Sequence, residues 1–145
     1  MPSAAKPCPF CAIVRGEGHA EVVFEDDATV AFLDKAPLMH GHVLLIPKVH
    51  VGTIWEADEA TASALALASR RLALAVKTAM GSDGAFVAQN NVVSQSVPHL
   101  HVHVIPRRQG DGFFSPRIIW RRVKYRDAAQ ATGIAAKIRA ALETA

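Results

Sequence analysis

Between residues 99 and 104 the chain alternates histidine with a branched aliphatic, His99-Leu100-His101-Val102-His103-Val104, and Pro98 and Pro106 flank the run. Strict alternation marks a half-buried strand, because successive side chains point to opposite faces. Leu100, Val102 and Val104 then enter a core. His99, His101 and His103 share the other face, each about 6.5 to 7 Å from the next. Proline cannot donate to a ladder, so the two prolines suit strand ends. Three of the seven histidines fall within five residues, which is a cluster rather than a scatter of surface groups.

A row of imidazoles on a rigid strand suits two chemistries. Neutral imidazoles can hold a catalytic zinc. Alternatively, one imidazole attacks phosphorus while its neighbours position and neutralise the phosphate. Ligands to one ion converge at about 2.0 Å, whereas the outer two histidines start about 13 Å apart along a strand. The spacing favours phosphorus chemistry.

Elsewhere the pattern predicts more strands and two helices. Val22–Glu25 and Thr29–Leu33 read as a hairpin turned by Asp26-Asp27, and His42–Pro47 as a buried third strand. Residues 58–80 predict a helix capped by Asp58 and stopped by Gly81, with Leu65, Ser69, Leu72, Val76 and Met80 at helical spacing. Ala85–Gln89 reads as a fourth strand that delivers Asn90 and Asn91. Residues 127–142 read as a final helix, with Asp127 and Gln130 at capping-box spacing. The sum is an α+β fold in one domain, 1–145: an antiparallel sheet of about five strands, one long helix packed on it, and a C-terminal helix.

Cys8 and Cys11 form a C-x-x-C with three readings: a redox pair, half of a metal site, or two reduced thiols. No strand precedes it, which disfavours the redox pair. A zinc site needs two more ligands, and His50 and His99 are of the right type. His40 and His42 flank Gly41, a residue that permits close approach of backbone or ligand. From Arg107 to Arg126, seven basic residues meet one acid, Asp111, with Phe113, Phe114, Trp120 and Tyr125 interleaved. Such a run can be a solvated or partner face, a polyphosphate contact, or a nucleic-acid surface. A net charge of +3 is too small to argue for nucleic acid. No apolar stretch approaches a membrane span and no signal-peptide pattern opens the chain, so a cytoplasmic location is expected.

The run from Pro98 to Arg107 resembles the His-x-His-x-His-x-x motif of the histidine triad (HIT) superfamily of nucleotide hydrolases and transferases. The likeness extends from Cys8-Pro9-Phe10-Cys11 to about residue 110, and 111–145 match less clearly. Ser94-Gln95-Ser96-Val97 is similar to the family's Gly-Gln-Ser/Thr-Val lead-in, with Ser94 where glycine is usual and a loop about two residues shorter. The resemblance implies His101 as the nucleophile that forms a nucleotidyl-histidine, His103 on the phosphoryl oxygens, and Ser96 at the leaving group. Asn90 or Asn91 would add donors, with Gln95 and His42 near the phosphate, Asp34 on the ribose and Phe32 and Leu33 beside the base. Bacterial relatives beginning with C-x-x-C imply a structural zinc on Cys8, Cys11, His50 and His99, and no organic cofactor. The implied activity releases a nucleoside monophosphate from a dinucleoside polyphosphate or nucleoside phosphoramidate. A nucleotide phosphorylase, or a nucleotide-binding scaffold with little turnover, are the alternatives. A purine nucleotide, adenosine first, is the implied substrate, and a homodimer that joins two sheets is the implied assembly.

Overall fold

A computed structural model describes residues 7–117 and 121–144. The lead Met1–Lys6 and Trp120 of the basic segment lie outside the described residues. Five strands, β1 (Val22–Glu25), β2 (Thr29–Leu33), β3 (Val43–Pro47), β4 (Gly84–Gln89) and β5 (Val102–Arg107), form one sheet in the order β1-β2-β3-β5-β4. Every neighbouring pair is antiparallel, as expected of the α+β reading. The β1–β2 turn is set by Asp26, whose Oδ1 accepts from the amides of Ala28 (2.9 Å) and Thr29 (2.7 Å).

Period 2 divides the sheet into two faces. Ala31, Leu33, Val43, Leu45, Val102 and Val104 meet Leu65, Leu72 and Val76 of α2 (Glu59–Met80) and Ile134 and Ile138 of α3 (Ala128–Glu143). Asp58 caps α2 through the Thr61 amide at 2.8 Å, and Gly81 ends it in the left-handed region, φ 59°. Asp127 likewise takes the Gln130 amide, but Gln130 Oε1 reaches the Arg126 amide rather than Asp127 itself. On the opposite face Val30, Phe32, Leu44 and Ile46 pack under Phe10 of a short helix, α1 (Pro9–Val14). The register Phe32↔Leu44↔His103 lines up these three side chains on the α1 face.

The sequence reading of residues 99–104 as continuous strand is corrected at its first half: the ladder begins at Val102. Continued past Leu45↔Val102, the register would set Pro47 opposite Leu100. Pro47 has no amide hydrogen to give, and its carbonyl accepts from His99 Nε2 at 2.9 Å. The Leu100 amide goes instead to Val51 O at 2.8 Å. His99 is thereby freed from the pleat. The His101 and His103 ring centroids lie 5.0 Å apart, closer than strand spacing imposes on alternate positions. Pro106, expected at a strand end, sits inside β5, yet β3 pairs with β5 only through Val104, so no bond is lost on that side.

Candidate active site and metal centre

The element that sequence reading missed builds half of the site. Cys8 is the N-cap of α1, its Sγ accepting from the Cys11 amide at 3.3 Å, and Pro9 occupies the first turn. One turn of helix therefore carries both sulfurs to one side. Cys11 Sγ lies 3.2 Å from His50 Nδ1 and 3.6 Å from His99 Nδ1. Cys8 Sγ lies 3.4 Å from His99 Nδ1, and the two Nδ1 atoms are 3.2 Å apart. Four ligands at about 2.3 Å (S) and 2.0–2.1 Å (N) from one tetrahedral ion stand about 3.3–3.8 Å from each other, so the donors fit zinc. The His99 Nε2–H bond to Pro47 O leaves Nδ1 as the lone pair turned toward the sulfurs.

His101 and His103 line a separate cavity of about 470 Å³, beside Phe10, Ile13, Phe32, Leu33 and Asp34. Next to it a side pocket of about 220 Å³ is lined by Asn90, Ser94, Ser96, His103 and Arg122. A chain of hydrogen bonds fixes the tautomers. The Leu38 amide donates to His42 Nδ1 (3.0 Å), so His42 carries its proton on Nε2 and gives it to His103 Nδ1 (2.9 Å). His103 is then protonated on Nε2. His101 Nδ1–H donates to the His99 carbonyl at 2.8 Å, which leaves its Nε2 lone pair available. Asp34, His42 and His103 lie close together, but both nitrogens of His42 are used in this relay, so it is no cation site.

Burial keeps these rings uncharged. Desolvation lowers His42 far below the ordinary histidine value and His103 to about 4, and the neighbouring imidazoles and the Arg122 charge push the same way. His101 is also lowered by burial, partly opposed by its bond to the His99 carbonyl and by Asp34. At neutral pH the cluster is a set of directed donors and acceptors without formal charge.

Of the other residues singled out in the sequence, Asp34 Oδ1 accepts from the Ala36 amide (2.9 Å), and Oδ2 pairs with Arg122 (2.9 Å). Asn91 is turned away: its Oδ1 holds the Ile54 amide at 2.7 Å. Gln95 braces the loop, accepting from the Val92 amide (3.0 Å) and donating to Gly52 O (2.6 Å). Ser94 keeps the left-handed conformation, φ 62°, that a glycine would take. His40 leaves the site, stacking on Tyr125 and meeting Lys124 O at 3.0 Å. The basic segment is dispersed. Arg107 pairs with Asp111 (2.7 Å), Arg108 donates to the carbonyls of Gly81 and Met80 at the end of α2, and Arg122 enters the cavity.

Fold and site define an antiparallel-sheet protein with a neutral histidine cluster at a cavity and a Cys2His2 cluster behind it. The sequence profile of the HIT domain matches residues 15–110, and the chain belongs to the HIT family. It is 38% identical over 106 residues to an adenylylsulfatase of Arabidopsis thaliana, covering 72% of this chain and spanning about half of that protein, 54%. It is 39% identical over 101 residues to a HIT-like protein of Saccharolobus solfataricus, covering 68% and 73% of the two chains. Among solved structures it resembles a zinc-bound histidine triad protein from Mycobacterium smegmatis (TM-score 0.82, 33% identity, 94% of each chain). A histidine triad nucleotide-binding protein from Sulfolobus tokodaii is similar to the same degree (TM-score 0.83, 34% identity, 94% and 93%).

Proposed function

We propose that this protein cleaves a nucleotide at its α-phosphate through a nucleotidyl-histidine and releases a nucleoside monophosphate. The observation that carries this reading is the pair of complementary tautomers: a lone pair on His101 Nε2 and a donor on His103 Nε2, at one cavity wall. His101 attacks phosphorus, forming a P–N bond as the bond to the leaving group breaks, and water then reverses the linkage. His103 donates to the phosphoryl oxygens, Asn90 adds a donor from the side pocket, and Ser96 stands at the leaving group. Asp34 takes the ribose hydroxyls, and Phe32, Phe10 and Ile13 enclose an adenine-sized base, while Leu33, expected beside the base, packs into the α2 core. The Arabidopsis relative's name, an adenylylsulfatase, and the nucleotide-binding description of the Sulfolobus protein support this substrate class.

Cys8, Cys11, His50 and His99 hold a zinc ion in this reading, and its contribution is a cross-link that ties α1 to the chain just after β3 and just before β5. The M. smegmatis structure supports it. The outer edge of β4, which carries exposed Val87, supports a homodimer formed by sheet extension. That Ile134, Ile138 and Leu142 of α3 share the α2 core supports reading the C-terminal segment as part of the same folding unit. The test is AMP release from adenosine phosphoramidate and diadenosine tetraphosphate. His101→Asn is expected to abolish turnover while retaining AMP binding. A variant that keeps most of its activity refutes the assignment.

A further inference from the structure

Arg122 comes from beyond the HIT profile, which ends at residue 110, and reaches the site across 88 positions of sequence. It lines both the large cavity and the side pocket, sharing each with His103 and Ser96. Its Nη1 is anchored twice, on Asp34 Oδ2 at 2.9 Å and on the Ala36 carbonyl at 2.6 Å. Among the described residues its Nε and Nη2 make no hydrogen bond, so those N–H groups remain for a ligand. The segment that carries it is tied down on both sides: the Val123 amide donates to Pro37 O (2.8 Å), and Tyr125 Oη donates to Asp34 O (2.7 Å). Arg122 is the only permanent cation among the residues that line the side pocket.

We infer that Arg122 makes this site selective for a nucleotide whose leaving group is an anion, phosphate or sulfate joined through an anhydride oxygen, over one whose leaving group is an amine. This rests on the hydrolase reading given above. When His101 Nε2 bonds to the α-phosphorus, the bridging P–O bond breaks and its electron pair leaves with the phosphate or sulfate. That group gains negative charge and needs a cation. An amine leaving from a P–N bond needs a proton instead. A guanidinium supplies charge but holds its protons at every working pH, and Arg122 lines the side pocket beside Ser96, so the pocket is furnished for the first departure. Anchoring on Asp34 fixes the guanidinium before substrate arrives, which is the condition for useful electrostatic stabilisation.

The experiment compares kcat/KM for AMP release from adenosine 5′-phosphosulfate, diadenosine tetraphosphate and adenosine 5′-phosphoramidate, using wild type, Arg122→Gln and Arg122→Lys. In Arg122→Gln the ratio of either anhydride to the phosphoramidate is expected to fall at least about tenfold, mainly in kcat, as loss of one charge-assisted contact implies. Arg122→Lys is expected to recover part of it. The two anhydrides separate sulfate from polyphosphate as the preferred anion. A ratio unchanged while all three rates fall together overturns the inference and makes Arg122 a support for Asp34 only. A ratio and rates that stay at wild-type values overturn it as well. Wild-type turnover with an unchanged ratio refutes the selectivity alone, whereas no wild-type turnover of any substrate overturns both this and the hydrolase reading. AMP affinity, measured in each variant, shows that the nucleotide cavity is intact.

Discussion

His42 lines neither the nucleotide cavity nor its side pocket, yet the tautomers of the site depend on it. Its two nitrogens do separate jobs, and two substitutions pull them apart. The amide oxygen of His42→Asn falls near the position of Nδ1 and can still accept from Leu38. His42→Gln reaches the position of Nε2 and can still donate to His103, but leaves the Leu38 amide unmet. That amide bond is buried, and an unsatisfied buried donor costs about 1–3 kcal/mol. For a chain of this length, about 2–4 °C of melting temperature accompanies each kcal/mol. Each variant leaves one buried group unmet, the Leu38 amide in His42→Gln and His103 Nδ1 in His42→Asn, so each is expected to melt roughly 4–8 °C below wild type, and His42→Gln to retain more turnover, because His103 keeps its Nε2 proton. Thermal denaturation, AMP release and nitrogen-15 shifts of the imidazoles read the three quantities. If wild-type His103 carries its proton on Nδ1, or if His42→Asn is the more active variant, the relay as described is wrong.

Three other outcomes follow from the same geometry. Cys8→Ser is expected to lower zinc from about one ion per chain to near none. The lost stability is about 4 kcal/mol where free zinc stands a thousandfold above its Kd, and wild-type protein as purified without zinc and indifferent to chelator contradicts the metal site. Ser94→Gly relieves a left-handed residue at a cost in chain entropy, for a net gain of roughly 0.5 kcal/mol in a denaturant titration, and a loss above about 1 kcal/mol refutes it. The histidine values are lower in the folded protein than the ordinary 6.5, so the unfolded chain binds more protons below that pH. Stability is then full above about pH 6.5 and declines as pH falls, at up to about 1.4 kcal/mol per unit and histidine. The acid limb of turnover lies below pH 6.5 for the same reason, and a limb at or above that value refutes a neutral, buried His101.

The elements legible in the sequence were those whose signals are local. The hairpin at Asp26, the caps at Asp58, Gly81 and Asp127, and the alternation of Leu100, Val102 and Val104 each need only a few neighbouring residues. Helix α1 was not read from the sequence: Cys8-Pro9 is a capping residue before a proline at the first turn, but six residues give no amphipathic period to notice. Arg122 had no such signal. Seven basic residues within twenty look alike until the fold assigns Arg107 to Asp111, Arg108 to the end of α2 and Arg122 to Asp34. Asn90 and Asn91 differ for a similar reason, because only the loop at Ile54 distinguishes the second from the first.

The break in the ladder at Pro47 explains how one short run serves two sites. A continuous strand would hold His99, His101 and His103 in a single row, and no group of four donors could close around His99. With no amide from Pro47, the chain before Val102 turns toward Val51, so His99 faces the sulfurs while its own carbonyl still takes the His101 Nδ1 proton. The metal-ligand candidate and the nucleophile candidate are thus coupled through one backbone carbonyl at 2.8 Å. Any change that lets residue 99 drift alters which nitrogen of His101 carries the proton. In the proposed reaction the Cys2His2 cluster would act without touching the nucleotide, by holding the carbonyl that leaves the His101 Nε2 lone pair free.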